Sequence, residues 1–369
     1  MKIRAAVLER FGEPLVVQDV ELAAPKAGEA LVRLHACGVC HTDMYTASGV
    51  DPSGYAPCVL GHEGAGIVEA VGEGVRSVAP GDHVVTLFSP QCGECVNCRS
   101  GKTNICMAIR EQQNAGYLPD GTARLSRDGQ ELRHFMGCST FAEATVTSEI
   151  SLAKVDPEAP LEAACLFACG LSTGLGAAMY RAQVQAGSTV VVFGLGMVGL
   201  GAVVGARLMG AERIIGVDLS AQRLELAQRH GATDGWLADE HTVARVLEET
   251  GGFGADYTFE ATGLVAVMRQ AVESARMGWG LATVCGVAGR GETLDVVPRF
   301  LITGRRVAGS SFGGVKGRDQ VPQFVEHYLA GDIDVDPLIS HSLTLDEVNR
   351  GFDLMHAQAG IRSVISFAG

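Results

Sequence analysis

Four cysteines, Cys92, Cys95, Cys98 and Cys106, stand in the pattern C-x2-C-x2-C-x7-C within residues 91–106, QCGECVNCRSGKTNIC. Thiolates at this spacing wrap one tetrahedral Zn2+; an iron–sulfur cluster or a dithiol redox pair would use the same residue type. Four sulfurs fill the zinc tetrahedron, so a zinc here has no open position and serves structure. A zinc ribbon gripping nucleic acid is opposed by Glu94 and by a net charge of −13.

A second set is dispersed: Cys40 in GVCHTD, His62 in GHEG and Cys169 in ACGLSTG. Two cysteines and one histidine would leave the fourth position of a zinc open to water or to a substrate oxygen, which is the arrangement of a catalytic metal. Spacing cannot bring these three together. Taken singly, Cys169 reads as a small buried residue and His62 as a turn residue.

The third constellation is Gly194, Gly196 and Gly199, a G-x-G-x-x-G directly after the apolar run Val190–Phe193. The first glycine permits a tight turn, the second a close approach of backbone to pyrophosphate, the third close packing of helix on strand. A second apolar run, Arg213–Val217, ends in Asp218, nineteen residues past Gly199. An acid there accepts hydrogen bonds from ribose hydroxyls and repels a 2′-phosphate, which selects NAD over NADP.

The elements needed to hold these groups can be read from pattern. From Ile3 to about Val155, short β-like runs such as Ala30–Leu34, Gly66–Val71 and Asp82–Thr86 alternate with Gly and Pro turns. They predict an irregular, mostly antiparallel β domain. From about Leu171 to Gly317 strands (Thr189–Phe193, Arg213–Val217, Tyr257–Glu260, Leu281–Val287) alternate with helical spacing over Ser220–His230 and Val265–Ala275. That alternation predicts an α/β fold with a doubly wound parallel sheet. The tail predicts helices over Val321–Leu329 and Leu345–His356 and a last strand, Ser363–Phe367. The expected domains are 1–170 (β, with both metal sites), 171–317 (dinucleotide binding) and 318–369 (a return to the first).

Composition limits the rest. The chain has 369 residues, 29 Lys plus Arg against 42 Asp plus Glu, and 47% hydrophobic residues. It is long and apolar enough for two or three cores, and too acidic for a nucleic-acid or anionic-membrane surface. Its eleven cysteines make no disulfide scaffold. The uncharged run Ala186–Ala206 tempts a membrane-span reading, but its six glycines, with Ser188 and Thr189, fit a strand, a turn and a helix better. Lys2, Arg4, Glu9 and Arg10 interrupt the apolar run a signal peptide needs, so a reducing, cytoplasmic compartment is expected.

Together these residues resemble the zinc-dependent alcohol dehydrogenases of the medium-chain dehydrogenase/reductase family. The resemblance runs over essentially the whole chain. Gly61–Val75 (GHEGAGIVEAVGEGV) matches the family's zinc signature, and the four-cysteine loop and GLGMVG fall where the family has them. CHTDMY, LGHEGAGIVE, PDGT, RIIGVD and FGG are most similar to class III, the glutathione-dependent formaldehyde dehydrogenases. The resemblance implies a GroES-like catalytic domain carrying two zincs, a Rossmann domain carrying NAD, and an active site in the cleft between them. It makes Cys40, His62 and Cys169 the catalytic zinc ligands, with Glu63 an alternate ligand and Asp43 the carboxylate orienting His62. Thr42 becomes the hydroxyl that passes the alcohol proton. His41 and Arg362 become pyrophosphate contacts, Arg223 a ribose contact and Thr173 a nicotinamide contact, with Val198 in the glycine loop. The strand around Val307–Gly314 is similar to the family's dimerisation strand, so a homodimer is expected, with pairing into tetramers left open.

The implied reaction is reversible oxidation of a primary alcohol to an aldehyde by hydride transfer to NAD. The implied pocket comprises Tyr45, Asp51, Phe88, Arg110 and Phe135. Two departures from class III stand in it: Ser53 where that class has Glu, and Phe88 and Phe135 where it commonly has tyrosines. S-(hydroxymethyl)glutathione is therefore one candidate substrate, and another thiol adduct or a bulkier apolar primary alcohol the other. A zinc-free NADPH reductase is opposed by Cys40, His62, Cys169 and Asp218; a non-catalytic relative is opposed by an intact Thr42.

Overall fold

The computed structural model describes residues 1–50 and 54–367. The chain divides into two compact units, one of Met1–Cys169 with Lys316–Gly369, the other of Gly170–Val315.

The first unit is β-rich. Strands Lys2–Leu8, Val16–Leu22, Leu125–Arg127, Gln130–His134 and Cys58–Val59 close a small barrel, and a seven-stranded sheet is built around Glu29–Val39. The latter strand is buried on alternate positions at first and on both faces from Ala36 onward. Along one edge it pairs antiparallel with Glu63–Val71, which sets Gly38 opposite Glu63. Its other edge pairs first with Ala144–Ser148 and then with Arg362–Ser366, setting Val39 opposite Ser363. The chain's distant tail thus reaches the strand end that leads into Cys40. Most pairings are antiparallel, as the turn-rich pattern predicts; Ile339–Leu343 with Arg362–Ser366 and Cys58–Val59 with Gln130–His134 are parallel exceptions.

The second unit is a six-stranded, wholly parallel sheet. Its order is Asp234–Leu237, Arg213–Asp218, Thr189–Phe193, Tyr257–Glu260, Leu281–Val284, Arg306–Gly309. Strand order reverses beside Thr189–Phe193, so ligands are expected at the carboxyl ends there. The run that resembled a membrane span is the strand Thr189–Phe193 and the helix Met197–Leu208. No single helix among the described residues is long and apolar enough to cross a membrane.

Boundaries moved where local signals were weak. Asp234–Leu237 (DGWL) is a strand the pattern did not announce, because only Trp236 is buried. The first tail helix starts at Gly317, with Pro322 inside it; the second is a 3-10 turn, Leu345–Glu347, leading into Val348–His356. Thr344 and Glu347 cap that turn reciprocally.

Candidate zinc and dinucleotide sites

The dispersed set converges. Ligand atoms of Cys40, His62, Glu63 and Cys169 all lie within 4.8 Å of one another. Cys40 follows the central strand directly, as the extended N-cap of the helix His41–Ala47. The fully buried Asp43, in that helix's first turn, joins the pieces. Its Oδ2 accepts the Cys40 backbone N–H at 3.0 Å; its Oδ1 accepts the Gly61 N–H at 3.1 Å and lies 3.0 Å from His62 Nδ1. With Nδ1 engaged, the imidazole keeps Nε2 for a metal. Gly61 must be glycine: its φ is +88°, and a Cβ would sit 2.5 Å from the Phe141 nitrogen.

Electrostatics fit a cation held by soft ligands. Hydrogen bonding from Cys169 pushes the Cys40 thiol well below its usual range, with Arg362 and His62 adding to the effect. The same hydrogen bond, with burial, pushes Cys169 up. Burial works against charge on His62, but the Asp43 carboxylate and Cys40 outweigh it and hold its pKa well above normal. Burial raises Glu63 to about 8, against the pull of Arg362. Two thiols, an imidazole and a carboxylate crowded in a buried space suit Zn2+. Neither Glu63 carboxylate oxygen has a hydrogen-bond partner among the described residues, and Oε1 lies 3.3 Å from Arg362 Nη2.

Arg362, the expected pyrophosphate contact, lies beside the cluster. Its guanidinium is buried in the β-rich unit, donating from Nη1 to the Val39 carbonyl at 2.7 Å and facing Glu63. The resemblance named both Arg362 and Glu63 but not their contact, which the strand pairing supplies. Gly38 went unnoticed for the same reason: a Cβ there would stand 2.1 Å from Glu63 Oε2, so the carboxylate occupies the space a side chain would take.

Thr42 Oγ1 is 3.8 Å from the Cys40 sulfur. Phe88 and Phe135 both meet the His62 ring edge-on, with centroids 5.9 and 5.8 Å away. Tyr45 is half-buried, and its hydroxyl has no hydrogen-bond partner among the described residues. His41 and Arg110 are exposed at the first positions of their helices. Asp51 and Ser53 lie outside the described residues. Gln113 is a residue that no sequence pattern announced. Its Nε2 donates to the Phe88 carbonyl at 2.8 Å and the Met136 carbonyl at 2.6 Å, tying the short helix of Arg110 to both phenylalanine segments. Replacing Gln113 with Ala should raise the alcohol KM at least fivefold while NADH affinity and zinc content stay unchanged, as steady-state kinetics and metal analysis would show.

The other four sulfurs, of Cys92, Cys95, Cys98 and Cys106, also lie within 4.8 Å of one another. Backbone N–H groups of Glu94 and Cys95 point at Cys92 Sγ (3.4 and 3.3 Å), and those of Cys98 and Met107 at Cys95 Sγ (both 3.5 Å). The Met107 and Cys98 donors pull the Cys95 thiol down to about 6. Burial pushes Cys98 up to about 12 and Cys106 upward, so it is the gathering of four sulfurs, with backbone donors at Cys92 and Cys95, that fits a closed zinc site. Replacing Cys98 with Ser should halve the zinc content and lower the melting temperature by 10 °C or more, read by metal analysis and calorimetry.

In the parallel-sheet unit each glycine has its own task. Gly194 has φ +85°, Gly196 has open space where a Cβ would be, and a Cβ on Gly199 would stand 1.8 Å from the Gly194 carbonyl oxygen. Val198 is half-buried behind them, its carbonyl against Gly174. Asp218 closes its strand and takes two backbone donors, Leu195 N–H on Oδ2 at 2.7 Å and Ser220 N–H on Oδ1 at 2.9 Å. Arg223 Nη1 is 3.9 Å from the same Oδ2. Asp218 therefore also anchors the glycine loop, a task the motif did not reveal. Thr173 is buried in the helix Gly170–Gly176.

Residues 26–157 match the family model described as the alcohol dehydrogenase GroES-like domain, and residues 197–330 that of the zinc-binding dehydrogenase. The chain belongs to the zinc-dependent alcohol dehydrogenases of the medium-chain dehydrogenase/reductase family. It is 52% identical to an S-(hydroxymethyl)glutathione dehydrogenase of Escherichia coli O1:K1, with each chain covered in full. Among solved structures, an alcohol dehydrogenase zinc-binding domain protein from Burkholderia ambifaria is 34% identical with a TM-score of 0.95. Benzyl alcohol dehydrogenase from Acinetobacter calcoaceticus is 31% identical with a TM-score of 0.93; both cover the full length of each chain. The dehydrogenase is thus a class III-like, NAD-dependent oxidoreductase acting on CH–OH donors, with a GroES-like and a Rossmann domain and a small-molecule alcohol as substrate.

Proposed function

We propose that the dehydrogenase converts a primary alcohol bearing an apolar or aromatic group to its aldehyde at Cys40, His62 and Cys169. Edge-on packing of Phe88 and Phe135 against His62 carries this reading, because it surrounds the zinc ligand with hydrocarbon rather than phenol hydroxyls. Cys40, His62 and Cys169 would hold a zinc that would supply Lewis acidity to the alcohol oxygen, and the glycine loop would hold the NAD to which hydride would pass. The chain does the rest. Asp43 fixes the His62 tautomer, and Thr42 takes the hydroxyl proton as hydride leaves carbon. Arg362 stands beside Glu63 and favours its ionised form against burial, and the phenylalanines keep water out. Asp218 selects NAD by accepting from its ribose.

A second reading, S-(hydroxymethyl)glutathione as substrate, is favoured by the 52% identity to enzymes named for it and by the exposed Arg110, a cation for a peptide carboxylate. Both substrates present a CH2OH group, so the site chemistry is shared. NADH formation should be measured with benzyl and medium-chain alcohols, and with formaldehyde in the presence and absence of glutathione. Efficient turnover of the alcohols supports the first reading. Turnover confined to formaldehyde plus glutathione would replace it with the second.

We also propose a cytoplasmic homodimer. Six of the eleven cysteines lie in the two clusters, which need free thiols of the kind a reducing compartment maintains. Arg306–Gly309 is the last strand of its sheet and largely exposed, which suits pairing with a second copy. Sedimentation should give twice the chain mass; a monomer would refute the dimer.

A further inference from the structure

Glu260 ends the strand Tyr257–Glu260, paired in register with Phe193 on one side and Val284 on the other. It is fully buried. Its Oε1 accepts three donors from the following turn: the Thr262 N–H and hydroxyl, both at 2.6 Å, and the Gly263 N–H at 2.7 Å. Its Oε2 has no hydrogen-bond partner among the described residues. The turn so held presses on both neighbouring loops. A Cβ on Gly194 would stand 2.5 Å from the Thr262 methyl carbon. A Cβ on Gly286 would stand 2.1 Å from the Gly263 nitrogen and 2.8 Å from Glu260 Oε2. One buried carboxylate therefore sits where the loops after three adjacent central strands meet, at the point where strand order reverses and a dinucleotide binds.

A buried acid is costly unless hydrogen bonds compensate it, and here three donors converge on one oxygen. The three glycines that meet here, Gly194, Gly263 and Gly286, leave no side chain to fix the spacing of the loops, and Glu260 does so by clipping one of them.

We infer that Glu260 is a positioning residue for the dinucleotide: by fixing the Thr262–Gly263 turn it sets the place of Gly194 and hence of the phosphate-binding loop. This rests on the reading that NAD lies on the Gly194–Gly199 loop. What Glu260 supplies is an acceptor of fixed direction. In Glu260→Gln a carbonyl oxygen can still take the three donors, with the amide nitrogen where Oε2 was, a place no donor faces. In Glu260→Ala nothing holds the turn.

The test measures NADH binding by fluorescence titration and steady-state kinetics on the zinc-loaded enzyme. Glu260→Ala should raise the NADH Kd and the NAD KM at least tenfold, with kcat at saturating NAD within threefold and zinc content unchanged. Glu260→Gln should stay within threefold of the parent in all of these. A folded Glu260→Ala with an unchanged Kd, or a Glu260→Gln as impaired as the alanine variant, would overturn the inference. If Glu260→Ala does not fold, Thr262→Val takes its place, since it keeps the methyl against Gly194 and removes one donor. It should weaken NADH at least threefold, and an unchanged Kd again refutes the proposal. Failure of the parent enzyme itself to bind NADH would overturn the reading of the glycine loop, and the inference with it.

Discussion

Replacing Cys40 with Ser should lower kcat/KM for alcohol oxidation by at least about a thousandfold and zinc content from two per chain to one, while the circular dichroism spectrum stays unchanged. The expectation follows from what Cys40 does twice. Its backbone N–H binds Asp43 Oδ2 at 3.0 Å, and that bond survives the substitution, so the start of the helix His41–Ala47 should stay in place. Its sulfur, by contrast, is the thiol that the surroundings push towards thiolate. A serine hydroxyl stays protonated and is a poor partner for a borderline-soft metal. Loss of turnover with the fold intact separates the open site from the Cys92–Cys106 loop, whose disruption should cost stability first. Retained turnover would show that the reaction does not run through this cluster.

How much of that site was legible from sequence depends on chain distance. The four-cysteine loop and the G-x-G-x-x-G turn declare themselves because the chemistry and the residues performing it are neighbours along the chain. Cys40, His62 and Cys169 are brought together by strand pairing and a return of the chain, and only the resemblance to a family joined them. What stayed hidden was supplied by register. Gly38 faces Glu63 because two antiparallel strands pair there, and Arg362 reaches Glu63 because the tail strand pairs on the other edge. Nothing in a list of residue types reports that Gly38 is a glycine to make room for a carboxylate. The two-sided grip of Gln113 on the Phe88 and Met136 carbonyls is of the same kind. The fold class was more legible than its boundaries, since period and glycine placement define a parallel sheet, whereas a strand as short as Asp234–Leu237 carries one buried side chain.

Asp218 shows how geometry changes an experiment designed from a motif. As a ribose acceptor alone, it would be dispensable for NADP, and Asp218→Gly would simply exchange one cofactor for the other. The structure adds two backbone donors, Leu195 N–H at 2.7 Å and Ser220 N–H at 2.9 Å, on its two oxygens. Hydrogen bonds to a charged group contribute about 1.5–3 kcal/mol each. Removing the carboxylate should therefore slacken the glycine loop for either cofactor and, if Asp218 accepts from the ribose as proposed, cost that recognition only for NAD. Repulsion of a 2′-phosphate also disappears, and Arg223 loses the carboxylate 3.9 Å away that opposes its charge. The signs thus differ: NAD loses on both counts, while NADP loses on one and gains on two. For Asp218→Gly, kcat/KM with NAD should fall at least a hundredfold, and the NAD-to-NADP preference should invert. Asp218→Asn keeps one acceptor oxygen but turns an N–H2 towards one of the two backbone donors, so it should fall between the parent and the glycine variant in both respects. Efficiencies measured with each cofactor decide the matter: a glycine variant that still prefers NAD would place cofactor selection elsewhere in the pocket and leave Asp218 as an anchor of the loop alone.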